Sequence, residues 1–256
     1  VQSEATDSAE TVTQVDATGL SCPGPIMKTA GAINAGSVGD VFEISSTDPA
    51  FGTDVYAWAG RSGNTVLGVT KEKGIICVKI KKGTHDAAEN ETLKAANPTE
   101  DHDKTIVVFS GDLDKAIASF IIANGAAAMG RKVTMFFTFW GLNVLRRPEK
   151  VSVAKSFIEK MFGRMMPRGT KKLGISKMNM AGMGSIMIRS VMKKKNIQSL
   201  EQLIDMARQS NIRLLACQMS MDVMGIKQEE LIDGVELAGV ATYLAEAETS
   251  DTNLFI

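Results

Sequence analysis

The chain has 256 residues, 44% of them hydrophobic, and its 29 basic and 29 acidic side chains cancel to a net charge of zero. That length suits two domains better than one, and a neutral balance argues against nucleic acid as the main partner. Three cysteines, an odd number without paired spacing, exclude a disulfide framework and fit a reducing compartment, the cytoplasm.

The opening residues are polar and acidic, with no apolar run, so no signal peptide is expected. Residues 1–11, rich in Ser, Thr, Glu and Ala, read as a disordered lead. Charge is unevenly spread. Residues 1–103 carry 8 basic and 15 acidic side chains, residues 146–195 carry 14 and 2, and residues 196–256 carry 3 and 10. Fields of opposite sign steer encounters between domains or subunits, and the same charges can also be solvated helix faces.

A short strand is predicted over 11–16. The sequence Asp-Ala-Thr-Gly-Leu-Ser-Cys-Pro-Gly-Pro follows at 16–25. Pro25 has no backbone N–H, which is tolerated in a first helical turn and hardly anywhere later. A helix over 26–35 therefore starts just after Cys22. Free amides and the helix dipole there favour an anion, and a thiol so placed gains thiolate character. The alternative is a packed cysteine, but Ser21, Pro23 and Gly24 are not apolar neighbours. Gly36 and Gly39 end the helix. A strand is predicted over 41–45. A helix over 50–59 follows, with Asp48 as its N-cap, and then strands over 65–70 and 74–82. This order, βαβαββ, makes a two-layer α+β sandwich.

The motif at 16–25 resembles the signature of the TusA/SirA-like small sulfur carriers, with its Gly-Leu, its Cys and both prolines. The resemblance covers residues 12–83. It implies that Cys22 accepts sulfur as a persulfide and passes it on.

Residues 84–103 are polar and contain both histidines, His85 and His102, and read as a linker. No second His or Cys stands at ligand spacing, so no metal site is expected. The second domain, 104–256, opens with an apolar strand over 104–110. A helix to about 129 and a strand over 132–139 complete a βαβ unit with a parallel sheet. One Gly in the first turn, Gly111, is not a dinucleotide fingerprint, so no cofactor is expected.

The apolar run 136–145 is too short for a transmembrane span. It reads as core, then as an oligomer contact, then as a membrane-surface patch. A helix is predicted over 148–162. The Met-, Gly- and basic-rich stretch 161–187 reads as core or lid before any copper or haem site, because its positive charge repels a cation. Ser199 caps a helix over 200–210, a strand spans 212–217, and a short helical turn follows over 218–225. A helix over 227–233, an edge strand at 235–236, a last helix over 239–247 and a polar end from 248 complete the chain.

Cys217 falls at the carboxyl end of a parallel strand, the edge where open α/β sheets bind ligands. A strand-end core cysteine is the other reading. Cys77 lies in a strand on the Lys79 side, and its reading is structural. From about 104 to the end the chain resembles the DsrE/DsrF-like sulfur-trafficking family. Phe-Phe-Thr-Phe-Trp-Gly-Leu-Asn and Ala-Cys-Gln-Met-Ser-Met-Asp-Val-Met-Gly carry the likeness. The resemblance implies a Rossmann-like α/β/α domain with a mainly parallel sheet, homo-oligomers, and Cys217 as the working thiol.

The combined expectation is a persulfide sulfur carrier or sulfurtransferase relaying sulfur from Cys22 to Cys217 or to a partner protein. Its donor would be a rhodanese-like or other persulfide protein and its acceptor a sulfur-accepting protein. Nucleic acid, membrane, metal and cofactor are not expected partners. The alternatives are a thiol-disulfide redox enzyme acting on a peroxide or coenzyme A disulfide, and a binding module using the Met-rich surface.

Overall fold

Residues 12–21, 23–83 and 102–256 are described by the structure, a computed structural model. The expectations for the lead 1–11, for Cys22 and for linker residues 84–101 lie outside the described residues. The chain divides into two units, Val1–Pro98 and Thr99–Ile256.

In the first unit, β1 (Val12–Ala17), α1 (Gly24–Ala35), β2 (Val41–Ser46), α2 (Phe51–Arg61), β3 (Thr65–Glu72) and β4 (Ile75–Lys81) follow in order. The sheet order is β1-β2-β4-β3, with β1 parallel to β2 and β4 antiparallel to both neighbours. Period-two alternation sends Ile76, Val78 and Ile80 to one face, where they are buried. Ile26 and Ile33 of α1 and Phe51, Val55 and Trp58 of α2 are buried as the helical layer. Cys77 lies on the other face, half-buried, with its Sγ 3.6 Å from Ser45 Oγ. Asp48 does not cap α2. Ala50 occupies that position, and its N–H donates to Asp48 Oδ1 at 3.0 Å, so the aspartate closes the turn ahead of the helix.

In the second unit, β5 (Asp103–Val108), α3 (Leu113–Ala128) and β6 (Val133–Phe137) form the expected βαβ unit. Then come α4 (Phe157–Met165), α5 (Met183–Lys194), α6 (Leu200–Gln209), β7 (Arg213–Cys217), α7 (Gln218–Met224), β8 (Val235–Ala238), α8 (Val240–Glu248) and β9 (Ser250–Phe255). All five strands are parallel, in the order β8-β7-β6-β5-β9. From β5 to β8 the chain steps in one direction across the sheet, and it then returns to place β9 beside β5. Right-handed crossovers put a returning connection on the opposite face. The burial follows that rule. Ile106, Val108, Met135, Phe137, Leu214 and Ala216 face the core containing α3 and α6. Val107, Phe136, Leu215, Cys217 and Ala238 face the other way, with Tyr243 of α8 packed on them. The architecture is α/β/α around a parallel sheet.

Four stretches differ from the sequence expectation. The helix expected over 148–162 begins only at Phe157, because Ser156 and Glu159 close a capping box there. The helix expected over 227–233 is a single 3₁₀ turn, Gln228–Glu230. Its Glu230 side chain is buried against Arg146, Lys155 and Arg168, which holds the turn inward. The strand expected to run to residue 139 stops at Phe137, and a 3₁₀ helix, Phe139–Leu145, carries Leu142, Val144 and Leu145 into the core. The polar end is edge strand β9, whose alternating exposure marks a strand with one open face. α5 starts within the Met-rich stretch 161–187 read as core or lid, and there Met161, Met165, Met178, Met180, Met183 and Met187 are exposed, with Met166 in the core.

Candidate functional site

Two thiol-bearing segments stand out. In the first unit, Asp16 at the end of β1 accepts from Thr18 N at 2.9 Å and Thr18 Oγ1 at 2.6 Å. The Thr18 hydroxyl, and then its amide, hold the Asp16 carboxyl below the ordinary range. Gly19 follows with φ +74°, a left-handed conformation that favours glycine, and its N–H donates to Thr47 Oγ1 at 2.8 Å. Gly24 N–H donates to Ser21 O at 2.9 Å, and Lys28 Nζ donates to Asp16 O at 2.5 Å. α1 then starts with Pro23 at its N-cap, with no side-chain cap and no acidic residue in its first turn. The positive end of this 12-residue helix is therefore not neutralised by its own side chains. Cys22 itself lies outside the described residues. Its sequence neighbours show what the turn offers: two prolines restricting the backbone and an open helix start.

In the second unit, Cys217 is the last residue of β7 and the N-cap of α7. It is 6% exposed and packs with Phe136, Leu215 and Ala238. Along the same carboxyl edge, Thr138 Oγ1 and Ser220 Oγ share a 2.7 Å hydrogen bond just after β6 and within α7.

The reversal of strand order lies between β5 and β9, and a crevice at the carboxyl ends of strands on either side of such a reversal is the usual ligand position. Here Phe109 sits 5.5 Å from Phe139 and 5.7 Å from Phe255, ring centre to ring centre. Phe139 has φ +44°, a strained value for a bulky residue. Cys217 is two strands away from β5, roughly 10 Å at normal strand spacing. Sequence reasoning missed this aromatic group. The one available signal was Gly141 within an apolar run: a Cβ there would lie 2.0 Å from Val108 O.

Cys77 is not at this edge, nor near a helix start; it sits mid-strand in β4 of the first unit. His102 is bonded to Asp251 at 2.8 Å. Among the described residues no cluster of His, Cys, Asp or Glu is arranged to hold a metal ion, and no helix is long and apolar enough to cross a membrane.

The sequence profile of the DsrE/DsrF/DrsH-like family matches residues 100–255, more than half of the chain. The chain belongs to that family. The profile of the sulfurtransferase TusA matches residues 13–82, so a TusA domain precedes the DsrE/DsrF/DrsH-like domain. The uncharacterized protein YrkE of Bacillus subtilis is 59% identical over 152 residues, covering 59% of this chain and 95% of that protein. The sulfur carrier protein DsrE2 of Allochromatium vinosum is 37% identical over 155 residues, covering 59% of this chain and 96% of that one. The sulfur carrier protein TusA of the same organism is 38% identical over 69 residues, 27% of this chain and 91% of that one. The fusion of the two sulfur-handling families thus has single-domain counterparts for each half.

Proposed function

We propose that the chain is a sulfur carrier and sulfurtransferase that takes persulfide sulfur on Cys22 and relays it to Cys217 or to a partner. The observation that carries this reading is the joining of the two families in one chain. In it, α1, without a side-chain cap at Pro23, follows Cys22 in sequence in one unit, and a cysteine ends a sheet strand in the other.

The chemistry is thiol exchange without net oxidation. The Cys22 thiolate attacks the outer sulfur of a donor persulfide, the inner S–S bond breaks, and the donor leaves as thiolate. The Cys217 thiolate then attacks the outer sulfur of the Cys22 persulfide and releases the Cys22 thiolate. Residues 84–103, read as a linker between domains 12–83 and 104–256, would keep the two thiols at an effective concentration in the ~mM range. The donor is read as a rhodanese-like or other persulfide-bearing protein, the final acceptor as a sulfur-accepting protein, the working form as a homo-oligomer and the compartment as the cytoplasm.

One observation favours a second reading. Cys217 is only 6% exposed and belongs to the buried cluster on the sheet face where Tyr243 of α8 packs. In that reading Cys22 hands sulfur directly to a partner and Cys217 is a packing residue.

Intact mass separates the two. The chain is incubated with inorganic polysulfide, desalted and weighed, alongside Cys22→Ser and Cys217→Ser. One added sulfur that vanishes in Cys22→Ser supports the carrier. A second sulfur site lost in Cys217→Ser, filled only when Cys22 is present, supports the relay. No added sulfur on any form refutes both.

A further inference from the structure

α4 and α5 are turned the wrong way round for a free surface. In α4 the apolar residues Phe157, Ile158, Met161, Phe162 and Met165 fall within about 140° of arc by helical periodicity. All five are exposed, Phe157 at 83%. The polar side of α4 is the one that holds it to the domain: Glu159 pairs with Lys227 at 2.7 Å, and Gly163 lies against Lys155 and Arg146. α5 repeats the arrangement. Met183, Ile186, Met187 and Val191 share a similar arc and are exposed, with Ile186 at 71%. Arg189 ties its other side down by donating to Thr170 O at 2.6 Å, beside Glu201. A helix that presents its apolar face to water while its polar face is paired inside needs something apolar over it.

Charge identifies the cover. The segment that carries both helices, 146–195, has 14 basic and 2 acidic residues. Lys160, Arg164, Lys171, Lys172, Lys193 and Lys194 have no ion pair among the described residues. A second copy meeting this face with its own would bring like charges together. The acidic first unit has the right sign, but its large exposed apolar residues (Val38, Tyr56, Leu67 and Ile75) are scattered over a loop, a helix and two strands. An anionic lipid surface supplies negative charge and an apolar layer at once, with no shape to match.

We propose that α4 and α5 form an in-plane docking surface for an anionic membrane, with their Phe, Ile and Met side chains in the headgroup–acyl boundary and the basic side chains at the phosphates. This surface uses residues other than the two cysteines and the apolar run at 136–145. It would hold the sulfur-handling chain at the bilayer without any spanning helix.

The test is flotation of the full chain with vesicles of phosphatidylcholine alone, or with about 30% phosphatidylglycerol. The expected result is flotation with the anionic vesicles only, weakened in about 1 M salt, where screening shortens to ~3 Å. The double variant Phe157→Ser, Ile186→Ser changes only exposed side chains. It should keep the melting temperature and lower partitioning by about tenfold or more. Three results would overturn the proposal. They are no flotation with either vesicle, equal flotation of the double variant, and concentration-dependent self-association that the double variant abolishes. The last would assign the face to a second copy.

Discussion

Replacing Glu230 with Gln tests the inner support of the second unit. Its carboxylate is fully buried. One oxygen accepts from Arg168 Nη2 at 2.6 Å and Arg146 Nη2 at 3.4 Å. The other accepts from the Lys227 amide at 3.0 Å and pairs with the Lys155 ammonium. The side chains of Arg146, Lys155 and Arg168 are 0, 7 and 14% exposed, so one anion serves three enclosed cations. Burial lowers the affinity of Arg146 for its proton, the neighbouring Arg168 adds to this, and Glu230 opposes both. Glutamine keeps the size and removes the charge. Breaking a buried pair from one side costs about 3–5 kcal/mol, since the remaining charges stay desolvated. For a domain of this size that is roughly 6–20 °C in melting temperature.

The assay is thermal and urea unfolding of the full chain and of Glu230→Gln, followed across pH. Burial alone would raise the Glu230 pKa, but the Lys155 bond, the Lys227 amide and Arg168 outweigh it and lower it from 4.5 to about 2. The unfolded chain therefore binds this proton more readily than the folded one. The stabilisation is complete above the unfolded value of 4.5 and is lost as pH falls toward about 2. The gap between the two proteins should be widest near neutral pH and close in that acidic window. A gap under about 1 kcal/mol at neutral pH, or one that does not narrow in acid, would refute the reasoning.

Two further outcomes follow from local geometry. Gly141→Ala would set a Cβ 2.0 Å from Val108 O and 3.4 Å from Val108 Cγ1, and should cost about 3 kcal/mol or more. Gly125→Ala, in the interior of α3 with nothing within 4 Å, should instead stabilise by about 0.5–1 kcal/mol. Differential scanning calorimetry reads both, and equal shifts would contradict the packing described. Cys217 should react with a thiol reagent roughly tenfold or more slowly in the native chain than in denaturant, because it is covered by the α8 side of the sheet. Equal rates, read by peptide mass mapping, would show that the edge is open.

Much of this protein was readable because its signals are local. Period-two alternation at 75–81 and the continuous apolar runs of β5 and β6 name their strands without any knowledge of neighbours. Ser199 announces α6 through a capping box closed within four residues. Cys217 reads as a strand end because an apolar run stops there and a helical turn begins. The Cys22 motif is visible because Gly, Cys and two prolines make an uncommon sequence order.

What the sequence could not decide depends on groups far apart in the chain. The 3₁₀ turn at 228–230 replaces a helix because Glu230 is drawn to cations 62 to 84 residues away. β9 reads as a polar tail until β5 supplies its hydrogen-bond partner, at a register pairing Val107 with Phe255. Periodicity shows that α4 and α5 each have an apolar face, but not which way that face turns. Glu159, Gly163 and Arg189 decide it by holding the opposite face to the domain. Only the tertiary structure could do so, because amphipathic spacing is the same whether the stripe meets the core or leaves it.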